Sequence, residues 1–74
     1  MSDGSAAVID VVVNGEPSRL EAGLTLTTWL QSVGRDARTV AIELNGEIAP
    51  RATFDGTPIR DGDRLEVVGF VQGG

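Results

Sequence analysis

The chain has 74 residues, 41% of them hydrophobic and 23% charged, a net charge of −5, and neither cysteine nor histidine. That length supports one domain near the lower limit for an unaided core, and the composition excludes a disulfide, a Cys/His zinc site, a Ser-His-Asp triad and a cysteine nucleophile. Acidity opposes nucleic acid and anionic membranes at long range while favouring solubility, and no apolar run approaches the roughly 20 residues that span a bilayer.

Residues 1–7 have no basic start and no long apolar core, so they do not read as a secretory signal; a disordered N-terminus on a cytoplasmic protein is expected. The first strand is predicted at Val8–Val13, β-branched and short, with Ile9, Val11 and Val13 on one face and Val8, Asp10 and Val12 on the more exposed one. Asn14-Gly15 is a two-residue hairpin signal and turns the chain into a return strand over Glu16–Glu21. Pro17 cannot donate to a ladder, which places that strand at a sheet edge, with Leu20 as its core residue.

Leu24 to Gly34 is the helical stretch. Leu26, Trp29, Leu30 and Val33 fall at i, i+3, i+4 and i+7 and predict one apolar stripe, with Thr25 as N-cap and Gly34 at the left-handed C-terminal position. Its threonines lower helix propensity, so packing must hold it. Trp29 on that stripe reads as core. After a polar connection over residues 35–39, Val40–Leu44 alternates with Val40, Ile42 and Leu44 inward. A second Asn-Gly, at 45 and 46, leads into a strand predicted over residues 47–50, with Pro50 marking an edge or an end. Residues 51–60 have no clean period; Phe54 and Ile59 are their anchors onto the core. Asp61-Gly62-Asp63 reads as a tight turn, and the last strand is predicted over residues 64–68, with Leu65 and Val67 inward.

Continuing that parity puts Val68 and Phe70 outward, beside the closing residues Phe70-Val71-Gln72-Gly73-Gly74. Val68, Phe70 and Val71 are therefore candidates for a docking patch. The alternative is a kink at Gly69 that turns Phe70 inside. Gly73 and Gly74 have no side chains and can follow a narrow channel, although a Gly-Gly end also suits a frayed terminus. Hairpin, helix, hairpin and strand together predict an α+β fold, a mixed four- to five-stranded sheet with one helix on one face.

These elements resemble the β-grasp (ubiquitin-like) fold. Four stretches carry a closer likeness: residues 13–17, residues 23–26, residues 40–51 (Val-Ala-Ile-Glu-Leu-Asn-Gly-Glu-Ile-Ala-Pro-Arg), and residues 57–68, together with the Gly73-Gly74 end. In them the chain resembles the ThiS/MoaD family of bacterial sulfur carriers, and within it the ThiS-like carriers of thiamin biosynthesis. The likeness spans nearly everything after Ala7. Gln72 stands where such carriers often have a third glycine, and the Pro-containing segment of molybdopterin-synthase small subunits is missing.

The resemblance implies a β-grasp domain over residues 8–71, a flexible tail over 72–74, and a protein co-substrate with no catalytic residues or bound cofactor of its own. It implies that the Gly74 carboxylate is adenylated by an E1-like enzyme of the ThiF/MoeB type using Mg-ATP. Sulfur originating from a cysteine desulfurase then makes a thiocarboxylate, which is delivered to a ThiG-type thiazole synthase. Arg51, Arg60 and Arg64 are either contacts for acids on a partner or solvated surface arginines. The readings that stay open are a carrier for another pathway (molybdopterin, cysteine or a secondary metabolite), a ubiquitin-like protein modifier, a β-grasp binding module, and an enzyme or calcium site built on Asp61 and Asp63.

Overall fold

The computed structural model of the chain describes residues 7–69. Expectations for residues 1–6, and for Phe70, Val71, Gly73 and Gly74, lie outside the described residues.

Strand β1 (Val8–Val13) and strand β2 (Glu16–Glu21) form the first hairpin, paired from Val8↔Glu21 to Val13↔Glu16. The Ala22 amide also donates to the Ala7 carbonyl at 2.9 Å, so the ladder begins one residue before the strand expected. Helix α1 (Leu26–Ser32) follows, then a 3₁₀ turn (Ala37–Thr39), β3 (Val40–Leu44), β4 (Glu47–Ile48), a second 3₁₀ segment (Arg51–Gly56) and β5 (Arg64–Gly69). The strands form one sheet in the order β2-β1-β5-β3-β4. The last strand is therefore central, parallel to β1 and antiparallel to β3. Strand β2, which carries Pro17, and β4, which runs toward Pro50, are the two edge strands, where a missing N–H does least harm.

The inner face of the sheet carries Val11, Val40, Ile42 and Leu65, which bury against Leu26, Trp29 and Leu30 of α1, with Phe54 and Ile59 closing one side. Each of these side chains is almost fully removed from water, a gain of about 1.5–3 kcal/mol apiece before conformational entropy is charged against it. Leu20, Leu44 and Val67 border the cluster, half-buried.

The helix is shorter than its period suggested. Thr25 caps it: its Oγ1 accepts from the Thr28 amide at 3.1 Å, and Thr28 Oγ1 accepts from the Thr25 amide at 2.8 Å, a reciprocal capping box. Thr27 donates to Asp55 at 2.6 Å and ties α1 to the second 3₁₀ segment. The threonines that weaken helix propensity thus define where the helix starts and what it leans on. Val33 departs from the expected stripe. It is the C-cap, with φ −102° and ψ 10°, and stays 52% exposed, because Gly34 at φ +75° reverses the chain immediately after it.

Two other expectations change. The predicted strand over residues 47–50 is only Glu47–Ile48, because the chain enters the second 3₁₀ segment directly after Pro50. That segment, residues 51–56, had no legible period: its helical residues number only six and bury a single side chain, Phe54.

Both Asn-Gly turns hold positive φ, at Asn14 (51°) and Gly15 (84°) and at Asn45 (54°) and Gly46 (86°). Their side chains do a second job. The Val67 amide donates to Asn14 Oδ1 at 2.8 Å, and the Arg64 amide donates to Asn45 Oδ1 at 2.9 Å. Asn14→Gly keeps the turn and removes one bond to β5, so a loss of about 1 kcal/mol is expected. Asn14→Ala adds the left-handed strain and should lose about 2 kcal/mol or more. Urea unfolding of the two variants checks the order.

Candidate functional site

The candidate site is the exit of β5, where Val68 and Gly69 lead into residues 70–74. Strand β5 does not break at Gly69: Gly69 pairs with Val40, and Val68 pairs with Ala41. The parity of the strand therefore holds to its last described residue. Val68 points to the open face of the sheet, away from the helix, and is 61% exposed. Phe70 and Val71, the other two docking candidates, and Gly73 and Gly74 lie outside the described residues.

The register identifies neighbours of Val68 that its own strand could not name. Glu66 lies directly across from Glu43, and Glu43 in turn lies across from Ile48, which is 75% exposed. Val12, at the other side of β5, is opposite Arg64. The open face near the exit thus combines Val68 and Ala41 with a pair of facing carboxylates. Alternation within each strand was visible in the sequence. Which strand lies beside which was not, because β1–β5 and β3–β5 join segments distant in the chain.

The other candidates resolve into structure. Asp61 Oδ1 accepts from the Asp10 amide at 2.8 Å, and Asp63 accepts from the Arg60 amide at 2.8 Å and from Asn45 Nδ2 at 3.0 Å. With Gly62 at φ +87°, these carboxylates hold a turn against β1 and the second Asn-Gly loop. Among the described residues no group of three or more acidic, cysteine or histidine side chains is placed to hold a metal ion. Arg51 donates from Nε to the Ala37 carbonyl at 2.9 Å and from Nη2 to that of Val40 at 3.4 Å, clamping the first 3₁₀ turn. Arg38 binds Asp36 at 2.9 Å, and this side-chain bond, with the Arg38 amide, lowers the Asp36 pKa. A shallow depression of about 200 Å³ lies at the β4 edge between Leu44, Ile48, Pro50 and Thr57. No helix among the described residues is long and apolar enough to cross a membrane.

A mixed sheet with one helix on its inner face and the last strand at its centre is the β-grasp architecture of ubiquitin-like proteins. The ThiS family model matches residues 11–74, and the chain belongs to that family. It is 44% identical over 64 residues to the sulfur carrier protein ThiS of Thermus thermophilus, covering 86% of this chain and 98% of that one. The crystal structure of the thiamine biosynthesis protein ThiS from Geobacter metallireducens superposes with a TM-score of 0.75 at 38% identity, over 89% of this chain and all of the other. It is also 41% identical over 64 residues to a thiazole synthase of Paramagnetospirillum magneticum. There the chain spans 86% of its own length but only 20% of the relative's.

Glu43 and Glu66 put like charges at directly opposed positions of neighbouring strands, an arrangement that destabilises a sheet. Glu43→Gln should raise stability by a few tenths to about 1 kcal/mol, and the gain should shrink as salt is added. Chemical denaturation at low and high ionic strength tests this.

Proposed function

We propose that the chain is the sulfur carrier of thiamin biosynthesis and acts as a co-substrate through Gly74. The observation that carries this reading is the family match running through residue 74, over a fold whose central strand is the last one in the chain, Arg64–Gly69. A carboxylate is ionised at neutral pH and resists nucleophiles. An E1-like adenylating enzyme removes that obstacle: the Gly74 carboxylate attacks the α-phosphate of Mg-ATP, releasing pyrophosphate and leaving an acyl adenylate. The terminal sulfur of a persulfide, charged by a cysteine desulfurase, displaces AMP. A thiol then cleaves the sulfur–sulfur bond and frees the thiocarboxylate. The thiocarboxylate is a soft nucleophile suited to delivering sulfur into a thiazole ring.

In this scheme the domain contributes presentation and no proton transfer, and it needs no bound cofactor. The likeness of a fifth of a thiazole synthase to this chain supports thiazole synthase as the receiving partner. Val68, with Phe70 and Val71, is the proposed apolar collar by which the partners seat the domain, and Gly73 and Gly74 are kept bare to pass a narrow channel.

Intact mass spectrometry after incubation with the adenylating enzyme, ATP and a sulfide source should show an oxygen-to-sulfur mass increase at Gly74. Deleting Gly74, or Gly74→Val, should abolish activation while leaving thermal unfolding unchanged. Adenylation of the deleted chain at the normal rate would rule out the reading. High-mass conjugates in place of a free thiocarboxylate would assign the chain to protein modification.

A further inference from the structure

The tripeptide Asn-Gly-Glu occurs twice, at residues 14–16 and 45–47, each time behind an aliphatic residue, Val13 or Leu44. Both copies close a two-residue hairpin and hold nearly the same backbone, with φ of 51° and 84° at Asn14 and Gly15 and of 54° and 86° at Asn45 and Gly46. Both asparagines are exposed. Local sequence, turn geometry and access to water are therefore matched, and a difference in reactivity has to come from the rest of the fold.

Asparagine before glycine carries a specific chemical liability. The glycine amide nitrogen, once it loses its proton, attacks the asparagine Cγ, and no Cβ on the glycine obstructs the approach. The new nitrogen–carbon bond closes a succinimide ring, and the side-chain nitrogen leaves as ammonia. Water then opens the ring. Breaking the bond from nitrogen to Cγ gives aspartate. Breaking the bond to the main-chain carbonyl carbon gives isoaspartate, whose main chain runs through Cβ and Cγ and is one carbon longer.

The attack requires the carboxamide to leave its partners and swing over the turn. The two side chains are not held alike. Among the described residues Asn14 is bonded through its oxygen alone, which accepts from the Val67 amide at 2.8 Å. Asn45 is bonded at both ends: Oδ1 accepts from the Arg64 amide at 2.9 Å, and Nδ2 donates to Asp63 Oδ1 at 3.0 Å. Asp63 is itself anchored, since its other oxygen accepts from the Arg60 amide at 2.8 Å. The second bond of Asn45 thus ends on a carboxylate and holds the very nitrogen that must depart. A carboxylate so close also opposes loss of the neighbouring amide proton.

We propose that Asn14 is a site of spontaneous deamidation in the folded protein, and that Asn45, with the same local sequence, is shielded by Asp63. The two products at position 14 differ in effect. Aspartate keeps an oxygen for the Val67 amide. Isoaspartate lengthens the main chain inside a two-residue turn and withdraws that oxygen from β5, so the strand loosens just before Val68 and Gly69.

The test is peptide mapping by mass spectrometry of the wild-type chain aged at mildly alkaline pH, native and in urea, with isoaspartyl and aspartyl peptides separated by chromatography. In the native state Asn14 should convert about tenfold faster than Asn45, the factor that one more hydrogen bond to a charged group is worth, and in urea the two rates should be similar. Asp63→Ala should speed conversion of Asn45 severalfold and leave Asn14 unchanged. Asp63 also caps the turn before β5, so if that variant does not fold, the comparison of native and unfolded wild type decides. The purified isoaspartyl form should melt below the wild type, and Asn14→Asp should melt closer to it. Equal native rates, faster conversion at Asn45, or no conversion of Asn14 in the folded chain would each overturn the proposal. So would a bias that persists in urea, which would assign it to local sequence. An isoaspartyl form that melts with the wild type would overturn the loosening of β5.

Discussion

The structure depends on holding a central strand that arrives last. Strand β5 must pair in parallel with β1 on one side and antiparallel with β3 on the other, and neither neighbour is joined to it by a short hairpin. Two asparagines at the ends of those neighbours grip it. Asn14 at the end of β1 accepts from Val67, and Asn45 at the end of β3 accepts from Arg64, so each hairpin turn reaches back to the strand beside it. A type I′ turn tolerates glycine or aspartate at the same position. The amide side chain is what couples the turn to β5, because its oxygen takes the place of one more ladder carbonyl.

From that grip follows the layering of the rest. Once β5 is central, Leu65 lies at the middle of the inner face, and α1 needs only seven residues to cover it with Leu26, Trp29 and Leu30. The helix is too short to be stable alone. It is held at its start by the capping box, by the Leu26 amide bonded to Thr57, and by the Ile59 amide bonded to Leu24. The irregular segment between β4 and β5 is thus the support under the helix N-terminus as well as a connection. Asp61 and Asp63 complete the same end of the molecule by capping the turn that launches β5 toward the exit.

Much of this was legible in the sequence, and the reasons for success and failure separate cleanly. Local chemistry read well. Thr25 as cap, Gly34 in the left-handed position, the two Asn-Gly turns, and prolines 17 and 50 at edges or ends all follow from properties a residue carries with it. Periodicity read well where a segment was long enough, as in β1, β3 and β5. It overreached at Val33, where the apolar repeat continued past the point at which Gly34 ends the helix. It was silent at residues 51–56, too few to show a repeat. The facing of Glu43 and Glu66 needed the strand order. Pairings between segments far apart in sequence, as in β1–β5 and β3–β5, leave no local mark. The role proposed for the Gly-Gly end comes from the likeness to the sulfur carriers, since composition alone offered none.

The position of β5 also has a mechanical consequence. Any partner that draws on residues 70–74 pulls on the central strand of the sheet, which is bonded to a neighbour on each side. The hydrogen bonds to β1 and β3 lie across its axis, so the load is shared by both ladders in shear rather than opening them one bond at a time. A tail attached to an edge strand such as β2 or β4 would peel its strand away. Here the tail can be held under tension while the domain behind it keeps its shape.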